Sequence, residues 1–208
     1  MLEEIKLVHV GLGPLGSQMV RHIVNERKGM KYVGAIDISP DIVGKDLGDV
    51  AGVGRKLGIK VSNEPKGVFE EVKPDIAIYS TVSLLKDIFP QIEPAIESGV
   101  NVISTCEELV FPNFVDRDMT EKYHDLAKKN NVTVLGTGIN PGFLMDVRPS
   151  MLSAACTEVK RIQVTRQMNA SPRRKPFQRK IGVSMENYRM ILLECIIFLD
   201  KRLLRALL

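Results

Sequence analysis

The chain has 208 residues, of which 44% are hydrophobic and 26% are charged. These fractions are typical of a globular protein and exclude an intrinsically disordered one, and the length suits one domain or one and a half. The formal net charge of +4 is too small to indicate nucleic-acid binding by itself.

The N-terminal segment predicts a strand, a glycine-rich loop and a helix in direct succession. Residues 5–10 are mostly apolar, residues 11–16 read Gly-Leu-Gly-Pro-Leu-Gly, and apolar residues at helical spacing follow. An acidic residue, Asp37, ends a second apolar run 21 positions after Gly16. A strand, a G-x-G-x-x-G loop, a helix and an acid at this distance form the dinucleotide-binding fingerprint.

The loop and the first turn of this helix supply five candidate cofactor-binding residues: Gly11, Gly13, Pro14, Leu15 and Gly16. In the fingerprint the first glycine permits a tight turn, the second lets the backbone approach a pyrophosphate, and the third lets the helix pack closely on the strand. The N-terminus of a helix offers N–H groups and partial positive charge to the phosphates.

Asp37 is the candidate that discriminates between cofactors. Its carboxylate can accept hydrogen bonds from the adenosine ribose hydroxyls, and it repels a 2′-phosphate. Arginine and lysine are absent between Asp37 and Lys45, which favours NAD over NADP. The alternative is a turn or helix-capping residue, because Ser39-Pro40-Asp41 follows.

Strand and helix patterns alternate up to about residue 140, which predicts a doubly wound parallel sheet of the α/β class, a Rossmann domain over residues 1–142. The strands after the first are predicted at 31–37, 59–61, 75–80, 101–104 and 132–135. The helices are predicted at 15–27, 45–52, 65–72, 84–98 and 116–130.

Residues 143–208 have a different character. They predict a connecting helix from 142 to 156, a strand over 158–168, a basic loop over 169–182 and an apolar helix over 185–208. So few elements cannot build an independent core, so we expect a partial substrate or oligomerisation domain, truncated or frame-shifted after about residue 183. The alternative is a natural short form that dimerises through its last helix. An apolar helix needs a cover, which predicts a homo-oligomer.

Ligands of open α/β sheets bind at the carboxyl ends of the strands, so the loops after the fourth, fifth and sixth strands are candidate site segments. After the fourth strand, Ser80 and Thr81 can line the cofactor with hydroxyl groups or cap the next helix. After the sixth, residues 136–143 contain three glycines and Asn140, whose amide can bind a nicotinamide carboxamide. The alternative is a strand-to-helix turn without ligand contact.

The loop after the fifth strand contains Thr105, Cys106, Glu107 and Glu108. Thr105 is a further candidate cofactor-binding residue. A carboxylate beside a nicotinamide can hold an ammonium or iminium group, or act as a general acid or base when burial raises its pKa. Glu107, nearer the strand end, is the first candidate catalytic residue and Glu108 the reserve. The alternative is that both are exposed and open the next segment. Cys106 fits a small buried residue better than a nucleophile.

The remaining titratable residues predict neither a metal site nor an oxidising compartment. His9 falls within the first strand and is expected in the core, whereas His22 and His124 fall on helices and are expected at the surface. Three widely spaced cysteines show no metal or disulfide pattern, and we expect no signal peptide or membrane span. The expected location is the cytoplasm. A single aromatic within the basic segment 173–180 argues against nucleic-acid binding.

Four segments together resemble the dihydrodipicolinate reductase-like group of pyridine-nucleotide oxidoreductases, and within it the 2,4-diaminopentanoate dehydrogenases and native amine dehydrogenases. They are residues 10–16, 46–48, 104–109 and 136–143. The last two are much more specific than the glycine fingerprint. The resemblance extends from about residue 5 to residue 182.

This resemblance implies NAD(P)-dependent oxidative deamination of an amine carbon next to a methyl group, or the reverse reductive amination. The implied substrate is a small diamino acid such as 2,4-diaminopentanoate. Glu107 would then face the substrate nitrogen, orient the amine and relay its proton. Asn140 would line the nicotinamide end, and a polar loop over 166–180 would come from the substrate domain.

The chain also departs from the group. The His-His…Lys signature of true dihydrodipicolinate reductases, which a Gly-Thr pair follows, is missing, and residues 166–172 read Arg-Gln-Met-Asn-Ala-Ser-Pro. The family pattern stops after Gly182. Two alternatives therefore stay open beside the amine dehydrogenase: imine reduction in lysine biosynthesis, and a nucleotide-binding fragment without catalysis.

Overall fold

Strands and helices alternate through the N-terminal part of the chain. The computed structural model describes residues 4–168 and 191–197, and the chain divides into two units, Met1–Gly142 and Phe143–Leu208. The strands of the first unit are β1 (Ile5–Val10), β2 (Met30–Ile36), β3 (Val61–Ser62), β4 (Ile76–Tyr79), β5 (Asn101–Ser104) and β6 (Val134–Gly136). Its α-helices are α1 (Pro14–Glu26), α2 (Leu47–Ala51), α3 (Pro65–Val72), α4 (Leu85–Glu97) and α5 (Arg117–Lys129).

The six strands form one parallel sheet in the order β3-β2-β1-β4-β5-β6. The chain moves outward from β1 through β2 to β3, and then returns to the other side of β1 to continue with β4. The strand order therefore reverses between β1 and β4, which is the topological switch point at which such sheets bind ligands. The doubly wound α/β fold predicted from the sequence is confirmed.

Both faces of the sheet are covered, which explains why its strands read as nearly continuous apolar runs. Successive side chains of a strand point to opposite faces. On β1, Leu7 packs in a core with Val20 of α1 and Leu47 of α2. Its neighbour Val8 packs in the other core, which contains Ile92 of α4 and residues of α3 and α5.

The last strand of the sheet begins two residues later than the sequence predicts. Val132 donates its N–H to the carbonyl of Ala127, so the turn that ends α5 continues through this residue. Asn131 has a positive φ of 54° in the same turn. Consequently β6 starts at Val134, although the apolar pattern already begins at Val132.

The second unit begins with helical turns and continues into a strand pair. A π-helical turn at Phe143–Val147 precedes α6 (Arg148–Ser153), so the predicted connecting helix is present in two parts. The strand β7 (Ile162–Met168) begins four residues after the predicted start. It pairs antiparallel with β8 (Ile191–Ile197) over seven residue pairs.

The prediction of a helix over residues 185–208 is wrong for residues 191–197, which form β8. This segment is apolar at six of its seven positions, so helical and strand periodicities cannot be separated in it. Three isoleucines favour the extended conformation, and pairing with β7 provides the partner. The basic loop predicted over 169–182 and the rest of the tail lie outside the described residues.

In the parts of the chain that the structure describes, the helices are too short or too polar for any of them to traverse a lipid bilayer.

The packing of α1 on β1 depends on Gly16. A Cβ atom at this position would overlap the carbonyl oxygen of Gly11 and would lie 2.6 Å from the Oγ of Ser80. Backbone and hydroxyl group therefore occupy the space that a side chain would need. Gly13, three residues earlier, has no atom within 4 Å of an ideal Cβ position.

Replacing Gly16 with alanine should destabilise the fold by about 1–3 kcal/mol, the usual cost of overpacking a close contact. The free energy of unfolding in guanidinium chloride measures this effect. Gly13→Ala is the matched control, because Gly13 has open space and a φ of −62° that alanine adopts readily. Equal losses in the two variants would contradict the packing role of Gly16.

Candidate functional site

The candidate residues meet at one edge because the strands end at the same level. The pairing register aligns Ile36 with Val10, Val10 with Tyr79, Tyr79 with Ser104, and Ser104 with Gly136. The predicted site segments begin at this row of five residues or directly after it, at the carboxyl ends of the strands. The row thus brings together loops as far apart in the sequence as the one that begins at Gly11 and the one that begins at Gly136.

The glycine loop lies at the switch point and is anchored on both sides. Gly11 has a φ of +90°, which favours glycine, and its N–H donates to the carbonyl of Ile36 at 2.9 Å. Ser17 donates its hydroxyl to the carbonyl of Leu12 at 2.9 Å. The helix α1 follows with Pro14 at its first position, and its N-cap residue, Gly13, offers no side-chain cap. The first N–H groups of α1 therefore suit an external anion.

Asp37 connects the end of β2 to the glycine loop. Its Oδ2 accepts a hydrogen bond from the N–H of Leu12 at 2.6 Å, and its Oδ1 accepts one from the N–H of Ser39 at 2.8 Å. The predicted turn role of Asp37 is thus real, and it coexists with a position beside the loop. A carboxylate has about four lone-pair sites, so acceptor capacity remains for hydroxyl groups of a ligand.

The side chain of Ser80 bonds to the protein itself at the switch point. Its hydroxyl donates to the carbonyl of Gly11 at 2.8 Å and lies 3.0 Å from the Nε2 of His9. Neither Ser80 nor Thr81 caps α4, because the N-cap residue of that helix is Leu84. Thr81 is exposed at the same strand end.

His9 is buried, as the sequence predicts, and its ring lies between the hydroxyl groups of Tyr32 and Ser80. Its Nδ1 lies 3.3 Å from the hydroxyl of Tyr32 on β2, and both rings belong to the sheet's interior. Burial lowers the pKa of His9 from the ordinary 6.5 to about 4, so the imidazole is neutral at physiological pH. His124 is exposed on α5, and His22 lies beside Glu26 at the surface of α1.

The two glutamates after β5 have different surroundings. The Oε2 of Glu108 accepts a hydrogen bond from the N–H of Leu85 at 2.7 Å, so this carboxylate caps the N-terminus of α4. Glu107 is half-buried and precedes a 3₁₀ turn at Glu108–Val110. The alternative of two exposed glutamates is wrong, since both are half-buried. Glu108, the reserve candidate, has a structural contact that the sequence did not indicate.

Thr105 and Cys106, which precede the two glutamates, are held in place by hydrogen bonds of their backbone N–H groups. Thr105 donates its N–H to the carbonyl of Tyr79 at 3.0 Å, which ties the loop to the end of β4. Cys106 is completely buried, and its N–H donates to the hydroxyl oxygen of Ser104 at 3.1 Å. Burial raises the pKa of the Cys106 thiol, which opposes a role as nucleophile.

The loop after β6 forms a tight turn that presents Asn140. Thr137 donates its N–H to the carbonyl of Ser104 at 2.9 Å, and Ile139 and Gly142 form an antiparallel bridge around the turn. Asn140 lies between them, half-buried, and its peptide bond to Pro141 is cis. The strand-to-turn geometry expected from the glycines is therefore present in this segment.

The segment at residues 46–48 has a supporting role in this structure. The carboxylate of Asp46 accepts N–H groups from Leu57, Gly48 and Gly58 at 2.8–2.9 Å. These backbone hydrogen bonds, that of Leu57 above all, hold the pKa of Asp46 below its ordinary value. Asp46 thus caps α2 and ties it to the loop before β3. Among the described residues, histidine, cysteine and carboxylate side chains form no group of three that could hold a metal ion.

A doubly wound sheet with a glycine loop at its switch point and an acid at the end of β2 defines a Rossmann domain of the NAD(P)-binding type.

Among known proteins, the chain is similar to dehydrogenases that are named for the amines they oxidise. The chain is 28% identical over 204 residues to 2,4-diaminopentanoate dehydrogenase of Acetoanaerobium sticklandii, covering 90% of this chain and 53% of that protein. It is 23% identical over 161 residues to an amine dehydrogenase of Streptomyces virginiae, covering 74% and 43%. The solved structure of an amine dehydrogenase from Mycobacterium smegmatis matches with a TM-score of 0.70 at 33% identity, covering 76% and 46%.

These similarities confirm the resemblance to the 2,4-diaminopentanoate dehydrogenase and amine dehydrogenase group. The chain spans about half the length of the curated relatives that it matches. No family model matches the chain.

The depressed pKa of His9 predicts a specific pH dependence of stability. Between pH 6.5 and about 4 the unfolded chain binds a proton at His9 that the folded chain does not bind, so stability falls as the pH decreases through this window. Between pH 7.5 and pH 5 the wild type should lose about 2 kcal/mol more than His9→Gln.

Guanidinium chloride unfolding of both proteins at the two pH values measures this difference, and other titrating groups cancel between them. His22→Gln, at an exposed histidine, should keep the wild-type dependence. A wild-type dependence in His9→Gln would mean that His9 does not titrate as its burial requires.

Proposed function

We propose that this protein is an NAD(P)-dependent oxidoreductase that deaminates a small primary amine, with Glu107 facing the reacting nitrogen. The observation that carries the proposal is the shared level of the strand ends, which puts the loops of Asp37, Gly11, Thr105 and Glu107 at one edge of the sheet. Similarity to amine-oxidising dehydrogenases supports the choice of an amine as substrate.

The described residues fit a dinucleotide. Gly13 leaves open space where a side chain would stand, beside the uncapped N-terminus of α1, and this space suits a pyrophosphate. Asp37, held by Leu12, has the acceptor capacity to bind the adenosine ribose. In the proposal, Thr81, Thr105 and Asn140 line the nicotinamide half. When bound, the nicotinamide supplies the hydride acceptor for the oxidation of an amine carbon.

The role proposed for Glu107 is to bind the amine and to move its proton. An ammonium ion must lose a proton before its carbon can release a hydride, and a carboxylate within hydrogen-bond reach accepts that proton. Once this proton has passed from Glu107 to solvent, the carboxylate is negatively charged again, and it stabilises the positive charge that develops on nitrogen during oxidation. Glu108 is less suited to this task, because its carboxylate caps α4.

The finer assignments are part of the same proposal. The substrate is a small diamino acid such as 2,4-diaminopentanoate, and the carboxylate of Asp37 favours NAD over NADP. We further expect a homo-oligomer acting in the cytoplasm, without a nucleic-acid or membrane partner.

The test is reduction of NAD⁺ and NADP⁺ at alkaline pH with 2,4-diaminopentanoate and a panel of small amines, paired with NADH titration of the same preparation. Turnover of amines supports the proposal. Tight NADH binding without turnover of any amine would leave a nucleotide-binding domain and overturn the enzymatic part. Absence of binding would overturn the cofactor assignment as well.

Glu107→Gln should lower kcat/KM for the amine by at least about 100-fold, the usual contribution of a general base. NADH affinity should stay within about twofold, because the amide keeps the size of the side chain. Steady-state kinetics and fluorescence titration measure the two quantities. The control is Glu70→Gln, at an exposed glutamate on α3, which should keep wild-type values. Undiminished turnover in Glu107→Gln would remove Glu107 from the mechanism.

Asp37→Asn should shift the ratio of NADPH to NADH affinity toward NADPH by roughly tenfold, equal to about 1.4 kcal/mol. The substitution removes the charge that repels a 2′-phosphate. Its single amide oxygen can keep the bond from the N–H of Leu12, whereas the bond from the N–H of Ser39 is lost with either cofactor and cancels in the ratio. Binding titrations with both cofactors provide the ratio. Asp125→Asn changes net charge equally on the exposed face of α5 and should leave the ratio unchanged. An unchanged ratio in Asp37→Asn would contradict the assignment.

A further inference from the structure

A chain of hydrogen-bonding groups lies beneath the glycine loop, and the proposed reaction does not use it. It contains the hydroxyl of Tyr32, the imidazole of His9, the hydroxyl of Ser80 and the carbonyl of Gly11. The consecutive distances are 3.3, 3.0 and 2.8 Å. The four groups come from β2, β1, the end of β4 and the loop itself, so the chain connects all three strands at the switch point.

The direction of donation along this chain follows from counting protons. A serine hydroxyl has one proton, and that of Ser80 is donated to the carbonyl of Gly11. The oxygen of Ser80 must then accept from the Nε2–H of His9. A neutral imidazole has a single N–H, so Nδ1 is the acceptor for the hydroxyl proton of Tyr32.

The burial of His9 and Tyr32 maintains this direction of hydrogen-bond donation. The imidazole has a pKa of about 4 because of its burial, so it stays neutral and has one acceptor nitrogen at physiological pH. Burial also raises the pKa of Tyr32, which keeps its hydroxyl protonated. Gly16 of α1 packs against these hydrogen-bonded groups, since a Cβ there would lie 2.6 Å from the Oγ of Ser80 and 2.9 Å from the Nε2 of His9.

We infer that Ser80 is a positioning residue for the dinucleotide loop: held by His9 and Tyr32, it fixes the peptide between Gly11 and Leu12. It thereby fixes the course of the backbone into the first N–H groups of α1, which in the proposed function face the pyrophosphate. This inference rests on the cofactor binding proposed above. Glycine at a φ of +90° can adopt many other conformations. The bond from Ser80 to the Gly11 carbonyl selects one of them, together with the bonds from the N–H of Gly11 to Ile36 and from the N–H of Leu12 to Asp37. A loop that populates its binding conformation only in part binds its ligand more weakly by the same fraction.

The first test concerns the protons and needs no ligand. Long-range nitrogen–proton NMR spectra of the imidazole rings distinguish the two neutral tautomers, and the signals missing in His9→Gln identify His9. At pH 7 His9 should have its proton on Nε2. A proton on Nδ1 would reverse the order of donation and overturn the inference.

The second test distinguishes a specific effect of Ser80 on the pyrophosphate-binding loop from a general destabilisation of the whole site. Ser80→Ala should weaken binding of ADP and NADH by roughly tenfold, because both contain the pyrophosphate. Adenosine, which in the proposal contacts Asp37 and not the loop, should bind within about twofold of wild type. The matched control is Ser98→Ala, which removes another hydroxyl-to-carbonyl bond of 2.8 Å, to Pro94 at the opposite end of α4. It should change none of these affinities.

Equal weakening of ADP and adenosine, or no weakening of either, would overturn the positioning role. Amide hydrogen exchange of Leu12 and Gly13 provides a readout that is independent of ligand, and Ser80→Ala should accelerate it. A wild-type chain that binds neither ADP nor NADH would refute the proposed function. In that case accelerated exchange would still support, and unchanged exchange would still refute, the control of the loop by Ser80.

Discussion

The close approach of α1 to β1 at Gly16 is the constraint on which the rest of the site depends. Because this residue has no side chain, the start of the helix lies directly over the strand, and Ser80 and His9 occupy the space beside it. The N-terminus of α1 is thereby held at the switch point of the sheet. The placement of α1 and the hydrogen bonds below the loop are mutually consistent at this contact, as expected of a minimally frustrated fold.

The two adjacent carboxylates after β5 are proposed to have different roles. Glu108 accepts the N–H of Leu85 at the start of α4, and Glu107, half-buried after β5, is the residue proposed for chemistry. Cys106, the residue before them, is buried and keeps its proton because burial raises its pKa. Ser80 and Thr81 differ in a similar way, since one bonds inward to Gly11 and the other is exposed.

Features formed by residues that are close in the sequence could be predicted from it. Individual contacts between distant residues could not. The segment from β1 to Asp37 could be predicted as a strand, loop, helix and strand, because these elements follow one another directly in the sequence. The start of β6 and the strand β8 were mispredicted, since apolar runs do not reveal where a turn ends or which partner strand is present. The contact between Glu108 and Leu85 spans 23 residues, and that between Ser80 and Gly11 spans 69. Such pairs become visible only when the sheet aligns its strand ends.

The hydrogen bond between Leu12 and Asp37 has a consequence for the speed of cofactor exchange. It joins the loop to the end of β2 before any ligand arrives, so the loop does not have to become ordered during binding. For the proposed function, we therefore expect association of a dinucleotide to be limited by diffusion and orientation, and variants of this site to differ mainly in how long the complex lasts. A preorganised loop of this kind suits an enzyme that must release one redox form of a cofactor and take up the other in each turnover.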